Sequence, residues 1–207
     1  MLTVRSISNS GQELCGLVLA GGRSSRMGSD KASLVHGDGR TLALRTYELL
    51  GEAGCRWVAL SLRADQDLPA GFAGGTVPAL IRDPAGASAG PLTGMLAAMR
   101  SRPEANWLIV ACDLPRLDLA TLRALIGSQL PGDVLLAYRS EHDGLPEPLC
   151  ALYAPAAAEL LEEAMAAALR CPRKILIKHQ CRLLEPVSPG ALDNANTPDE
   201  WEASRNP

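Results

Sequence analysis

Three places in the 207-residue chain put chemically useful side chains directly behind an apolar run. The first is Gly21-Gly22-Arg23-Ser24-Ser25-Arg26-Met27-Gly28-Ser29-Asp30-Lys31, which follows Leu14 to Ala20. Glycines let a ligand approach the backbone and aim N–H donors at its oxygens, while Arg23, Arg26 and Lys31 offset negative charge. A polyphosphate needs that combination. The loop is neither GxGxxG nor GxxxxGK[ST], and by residue types alone a solvated basic turn is the plain alternative. The second place is Asp113, which ends the run Asn106 to Cys112 and precedes Pro115. Such a carboxylate suits Mg²⁺, which takes one or two protein oxygens and completes its octahedron with phosphates and water. An Asp capping the next helix, or forming a turn, accounts for the same residue. The third is Asp83, between a short apolar run and Pro84, which fits either a ligand hydroxyl or turn initiation. His36, His142 and His179 stand in polar or mixed contexts without partner spacing, so none is assigned to a metal or to proton transfer.

These groups need a scaffold that brings strand ends together. Leu14 to Ala20 and Asn106 to Cys112 are apolar without alternation, as central parallel strands are. Further strands are expected at Arg56 to Leu62, Val77 to Ile81, Val134 to Tyr138 and Leu149 to Tyr153, with an edge strand over Arg182 to Val187. Helical periodicity marks Thr41 to Ala53, a segment opening at Gly90-Pro91, Leu117 to Ile126, and Pro155 to Arg170 stopped by Cys171-Pro172. Ile175 to His179 reads as helix or strand, and a short final helix is expected to begin within Asp193 to Glu200. The alternation predicts an α/β fold: a Rossmann-like three-layer αβα sandwich with a mostly parallel central sheet. Ligands of open α/β sheets bind beyond the carboxyl ends of the strands, where Gly21-Gly22, Ser61, Asp83 and Asp113 fall.

Composition narrows the function classes. With 20 Lys+Arg against 23 Asp+Glu, the chain lacks the basic excess of a nucleic-acid sleeve. Aromatics make up 3% of residues, too few for stacking platforms on single strands. A hydrophobic content of 47% supports a proper core, while no apolar stretch approaches the roughly 18 residues of a membrane span. Six cysteines show no CxxC or other metal-ligand spacing and no signal peptide precedes them, so reduced thiols in a cytoplasmic protein are expected, with Cys112 a small buried hydrophobe. One domain over residues 14–202 is expected, between a flexible arm (1–13) and a tail (203–207).

Leu19-Ala20-Gly21-Gly22-Arg23-Ser24-Ser25-Arg26-Met27-Gly28-Ser29-Asp30-Lys31 closely resembles the signature L-A-G-G-x-x-x-R-M-G-x-D-K of molybdenum cofactor guanylyltransferases, the MobA-like branch of the nucleotidyltransferases. Asp83 with Gly90-Pro91-Leu92-Thr93-Gly94-Met95, Ala111-Cys112-Asp113-Leu114-Pro115, and Asn194-Ala195-Asn196-Thr197-Pro198 agree in order and spacing. The resemblance implies transfer of GMP from GTP to molybdopterin, with pyrophosphate released. It implies nucleotide contacts from the backbone of Leu19, Ala20 and Gly21, with Gly22 beside them. Lys31 and Arg26 would neutralise phosphate charge, Asp113 would carry Mg²⁺, and Asp83 would help fix the guanine nucleotide. Asn194, Asn196 and the segment from Pro148 to Leu152 would face molybdopterin, although helix capping also accounts for the two Asn residues. Where enterobacterial members carry an Asn at the end of the second strand, the matching position is Ser61 or its neighbour, with a shorter reach. Two alternatives stay open: a cytidylyltransferase using CTP, whose branch tends to carry Ala where Gly21 stands, and a non-catalytic nucleotide- or cofactor-binding adaptor. Molybdoenzymes, their chaperones and other cofactor-biosynthesis proteins are the protein partners such a role implies.

Overall fold

The structure, a computed structural model, describes residues 12–22, 30–72, 78–83, 90–195 and 200–201. In chain order they form β1 (Leu14–Leu19), a 3₁₀ turn (Lys31–Ser33), α1 (Leu42–Ala53), β2 (Trp57–Leu62), β3 (Ala79–Arg82), α2 (Pro91–Ser101) and β4 (Asn106–Ala111). The chain continues with α3 (Leu119–Gly127), β5 (Leu135–Arg139), β6 (Pro146–Tyr153), α4 (Ala157–Ala166), α5 (Pro172–Lys178) and β7 (Arg182–Leu184). The strands make one sheet in the order β3-β2-β1-β4-β6-β5-β7. Every neighbouring pair is parallel except the two that involve β6, so a single reversed strand lies in an otherwise parallel sheet.

Alternate residues of each central strand feed opposite layers. Val18, Leu60 and Val110 pack with Leu50 of α1 and Leu122 and Leu125 of α3. Their neighbours Leu17, Ala59 and Ile109 pack instead with Met95 and Met99 of α2, Leu161 of α4 and Ile175 of α5. With both faces covered, β1 and β4 have no position for a polar outward side chain, and their apolar runs follow. The three-layer expectation holds.

Several boundaries differ from the sequence reading for physical reasons. α4 ends at Ala166, short of Arg170, because Ala168 takes the left-handed conformation (φ 58°). Its N–H donates to Met165 O, and Leu169 N–H reaches back to Ala164 O, the bond pattern of a Schellman cap built without glycine. Residues 172–178 are helix, which settles the helix-or-strand alternative. β6 starts at Pro146, within what reads as a polar loop. Pairing with β4 begins only at Cys150, so Pro146 and Pro148 extend past β4 and face a partner on one side only. A missing N–H is tolerated there as on an edge strand. β7 is the expected edge strand but stops at Leu184. β3 runs from Ala79 to Arg82; Val77, where the reading began it, lies outside the described residues. Gln12 and Glu13 belong with the sheet: Glu13 O accepts from Asn106 N–H, and its carboxylate pairs with Arg102 at 2.9 Å. Residues 193–195 are not helical, and 196–199 lie outside the described residues.

Candidate active site

β1 sits between β2 and β4, and the chain leaves it in one direction to build β2 and β3 and later returns on the other side as β4. That reversal opens a crevice at the carboxyl ends of β1 and β4. The register brings the chemistry level: Leu19 pairs with both Ser61 and Ala111. Bonds from Ala20 N–H to Ser61 O, Cys112 N–H to Leu19 O and Asp83 N–H to Leu62 O carry the ladder past the strand ends. Gly21, Asp83 and Asp113 therefore emerge from one edge of the sheet.

Asp30 opens the turn that presents Lys31. Its Oδ1 accepts from Ala32 N–H at 3.1 Å, capping the 3₁₀ turn Lys31–Ser33. Lys31 Nζ lies 3.2 Å from Asp113 Oδ2, with 16% and 25% of the two side chains exposed. Tight charge-assisted bonds run about 2.7–2.9 Å, so this pair is a loose electrostatic contact.

Asp83 is the other carboxylate at the edge. Its Oδ1 is buried and accepts no hydrogen bond among the described residues. Burial pushes its pKa above the usual carboxylate range, opposed in part by Arg63. An unpaired buried acceptor is costly unless a ligand supplies the donor. The sequence also pointed to Ser61, but its side chain is 4% exposed and packs under α2, where a Cβ on Gly94 would stand 2.2 Å from Ser61 Oγ. Only the Ser61 backbone reaches the edge, through Ala20. Asn194 is exposed beside the site, because Ala195 N–H donates to Asp113 O at 3.1 Å and draws the 190–195 segment across it. Pro148 is buried in β6, with its carbonyl accepting from Tyr153 OH at 2.8 Å. Cys112 is buried too, and burial raises its thiol far above the reactive range. Arg26 and Asn196 lie outside the described residues.

Three side chains that the sequence did not single out hold the edge together. Gln66, Arg63 and Arg82 come from the end of β3 and the turn that follows β2, and they donate mainly to backbone carbonyls. No spacing or periodicity marks them, since they sit in or beside a polar stretch.

With strand order, crevice and facing Lys31 and Asp113 in view, comparison with known proteins is decisive. Residues 16–184 match the MobA-like NTP transferase domain. The chain belongs to that family. Within the MobA-like family, a molybdenum cofactor biosynthesis bifunctional protein of Synechocystis is 38% identical over 188 residues, covering 91% of this chain and 52% of the relative. The chain thus spans about half the length of that bifunctional relative. A molybdenum cofactor guanylyltransferase of Rhizobium meliloti is 36% identical over 200 residues, covering 89% of this chain and 87% of the relative. Among solved structures, the molybdopterin-guanine dinucleotide biosynthesis protein A of Archaeoglobus fulgidus superposes with a TM-score of 0.68 at 24% identity, covering 92% of this chain and 96% of that one. A nucleotidyl transferase from Methanothermobacter reaches 0.76 at 19% identity, covering 94% and 97%. Both share the fold of this MobA-like chain.

Proposed function

We propose that this MobA-like protein transfers GMP from GTP to the molybdopterin cofactor, releasing pyrophosphate and forming the guanine dinucleotide form of the cofactor. The observation that carries the reading is the Lys31–Asp113 pair at the switch point beside the Gly21-Gly22 loop, in a chain that covers 87% of a curated guanylyltransferase. Residues 14–202 are taken as the catalytic unit, and the six free cysteines accord with a cytoplasmic protein.

The chemistry asks little of the protein in covalent terms. A phosphate oxygen of molybdopterin, ionised at neutral pH, attacks the α-phosphorus of GTP as the bond from that phosphorus to the bridging oxygen breaks and pyrophosphate departs. Catalysis then rests on alignment and charge neutralisation. Backbone N–H groups at Gly21 and Gly22 seat the phosphates, while that of Ala20 stays in the ladder with Ser61 O, and Lys31, joined by Arg26, offsets their charge. The Oδ1 of Asp83, without a donor among the described residues, suits an N–H donor of guanine, and Gly21 in place of Ala favours the same base. Asn194 and Asn196 would meet the pterin side, on a segment tethered to Asp113 through Ala195. Among the described residues no group of three or more His, Cys, Asp or Glu side chains surrounds a cation. Asp113 alone fits Mg²⁺, with phosphate and water oxygens completing the shell. The ion would supply Lewis-acid stabilisation of the developing phosphate charge.

The test is pyrophosphate release with molybdopterin and GTP, CTP or ATP in parallel, with and without Mg²⁺. Magnesium-dependent turnover with GTP is expected, and Asp113→Ala should lower kcat/KM by at least about a hundredfold. Preference for CTP would move the protein to the cytidylyl branch, and tight GTP binding without turnover would make it a carrier.

A further inference from the structure

One buried amide joins the two ends of the glycine loop. The Gln66 side chain is 5% exposed, and its Nε2 donates both protons: one to Ala20 O at 2.9 Å, before the loop, and one to Asp30 Oδ2 at 2.6 Å, after it. Its Oε1 accepts from Arg63 N–H at 3.2 Å, so every polar atom of the amide is used. Arg63 Nη1 in turn donates to Gly21 O at 3.0 Å and Gly22 O at 3.1 Å. Behind them Arg82 Nη1 donates to Gln66 O at 2.7 Å and Arg63 O at 3.1 Å, fixing the turn that carries both.

The consequence follows from peptide geometry. In a trans peptide the carbonyl of one residue and the N–H of the next point in opposite directions. No described peptide bond is cis. Drawing Ala20 O to Gln66 and Gly21 O to Arg63 therefore turns the N–H groups of Gly21 and Gly22 away from the β2–β3 turn. Meanwhile Asp30, held by the same amide, caps the turn on which Lys31 faces Asp113.

We propose that Gln66, backed by Arg63 and Arg82, is a positioning residue that presets the two flanks of the nucleotide loop, Ala20 to Gly22 and Asp30, before substrate arrives. It orients successive backbone donors and fixes the Asp30 cap that aims Lys31. This inference rests on the nucleotidyl-transfer reading for its kinetic readout, and a second readout is independent of it.

The test uses the full chain with Gln66→Leu and Gln66→Glu. Gln66→Leu keeps bulk and removes all three polar contacts; it should raise KM for GTP and lower kcat/KM about ten- to hundredfold, while KM for molybdopterin is unchanged. Gln66→Glu is nearly isosteric but sets a carboxylate against Ala20 O and Asp30; once protonated, its single O–H restores one of the two bonds. Its activity should recover in part as pH falls toward about 5, relative to wild type at each pH. Without any substrate, amide hydrogen exchange at Ala32, whose N–H bonds the Asp30 carboxylate that Gln66 holds, should quicken in both variants at neutral pH when followed by NMR, while β4 amides stay protected. The proposal is overturned if Gln66→Leu loses activity only in proportion to its folded fraction with KM for GTP unchanged, if Gln66→Glu keeps the wild-type pH profile, or if Ala32 exchanges as in wild type. Should wild type turn over no nucleotide, the proposed reaction falls, and the exchange measurement alone decides the role of Gln66.

Discussion

The two halves of the sheet use their charged side chains differently. At the carboxyl edge of β3-β2-β1-β4, Arg63, Arg82 and Gln66 donate to carbonyls, so side chains fix backbone. Around β6-β5-β7 the arginines bond mostly to carboxylates: Arg139 to Glu185, Arg173 to Asp143 and Glu147, Arg182 to Asp133. Of these, the exposed pairs such as Arg139–Glu185 are ordinary surface pairing, worth little each. The first pattern gives a stretch of main chain one shape, which a loop needs if its N–H groups are to bind oxygens without reorganising. Arginines that look alike in the sequence thus divide between building a site and decorating a surface.

The sharpest way to break that contrast is to disturb packing under the site half. Gly94 lies where α2 crosses β2, and an added Cβ would stand 2.2 Å from Ser61 Oγ and 3.2 Å from Ser61 Cβ. Gly94→Ala should destabilise the protein by about 1–3 kcal/mol, lowering Tm by roughly 3–10 °C in thermal unfolding. Adding Ser61→Ala should restore most of the loss, because the closest atom is then gone. Failure of that rescue would place the strain elsewhere in α2.

A smaller effect of opposite sign is expected at Asp83. Its pKa is raised in the folded protein, so folding is least opposed while the group is protonated, below the unfolded value near 3.9, and loses stability as pH rises through the folded pKa. Asp83→Asn removes that loss. Thermal unfolding at pH 7 should show higher stability than wild type, with the gain vanishing by about pH 3, while calorimetry shows weaker binding of GTP. A variant both less stable and unimpaired in binding would remove Asp83 from the site. Least should come from the other half: Arg139→Ala, whose pair with Glu185 is 45% and 76% exposed, should change stability by under about 0.5 kcal/mol and leave kcat/KM for GTP unaltered. A loss matching that of Gln66→Leu would erase the distinction between the halves.

The strands and carboxylates of the site half were legible in the sequence, but the division of the arginines was not. β1 and β4 stood out because strands covered on both faces must be apolar throughout, and Asp83, Asp113 and the glycine loop stood out because polar groups follow such runs abruptly. The early start of β6 did not, because Pro146 and Pro148 speak against a strand unless one knows that β4 has already ended beside them. Gln66 was silent for a related reason. Its meaning comes from the two loop ends that it touches, 46 and 36 residues away, and not from its neighbours in the chain. The tether at Ala195 is a backbone N–H, a group nearly every residue owns, so no side chain could announce it.

Lys31 and Asp113 meet across 82 residues of sequence, through a β1–β4 pairing that β2, β3 and α2 must precede in the chain. Closing so long a loop costs entropy before it returns any contact. During synthesis the first half of the protein can emerge with its glycine loop complete and still lack the carboxylate opposite Lys31. The Lys31–Asp113 pair thus arrives with the fourth strand, and a chain interrupted before it would carry the signature residues without their partner.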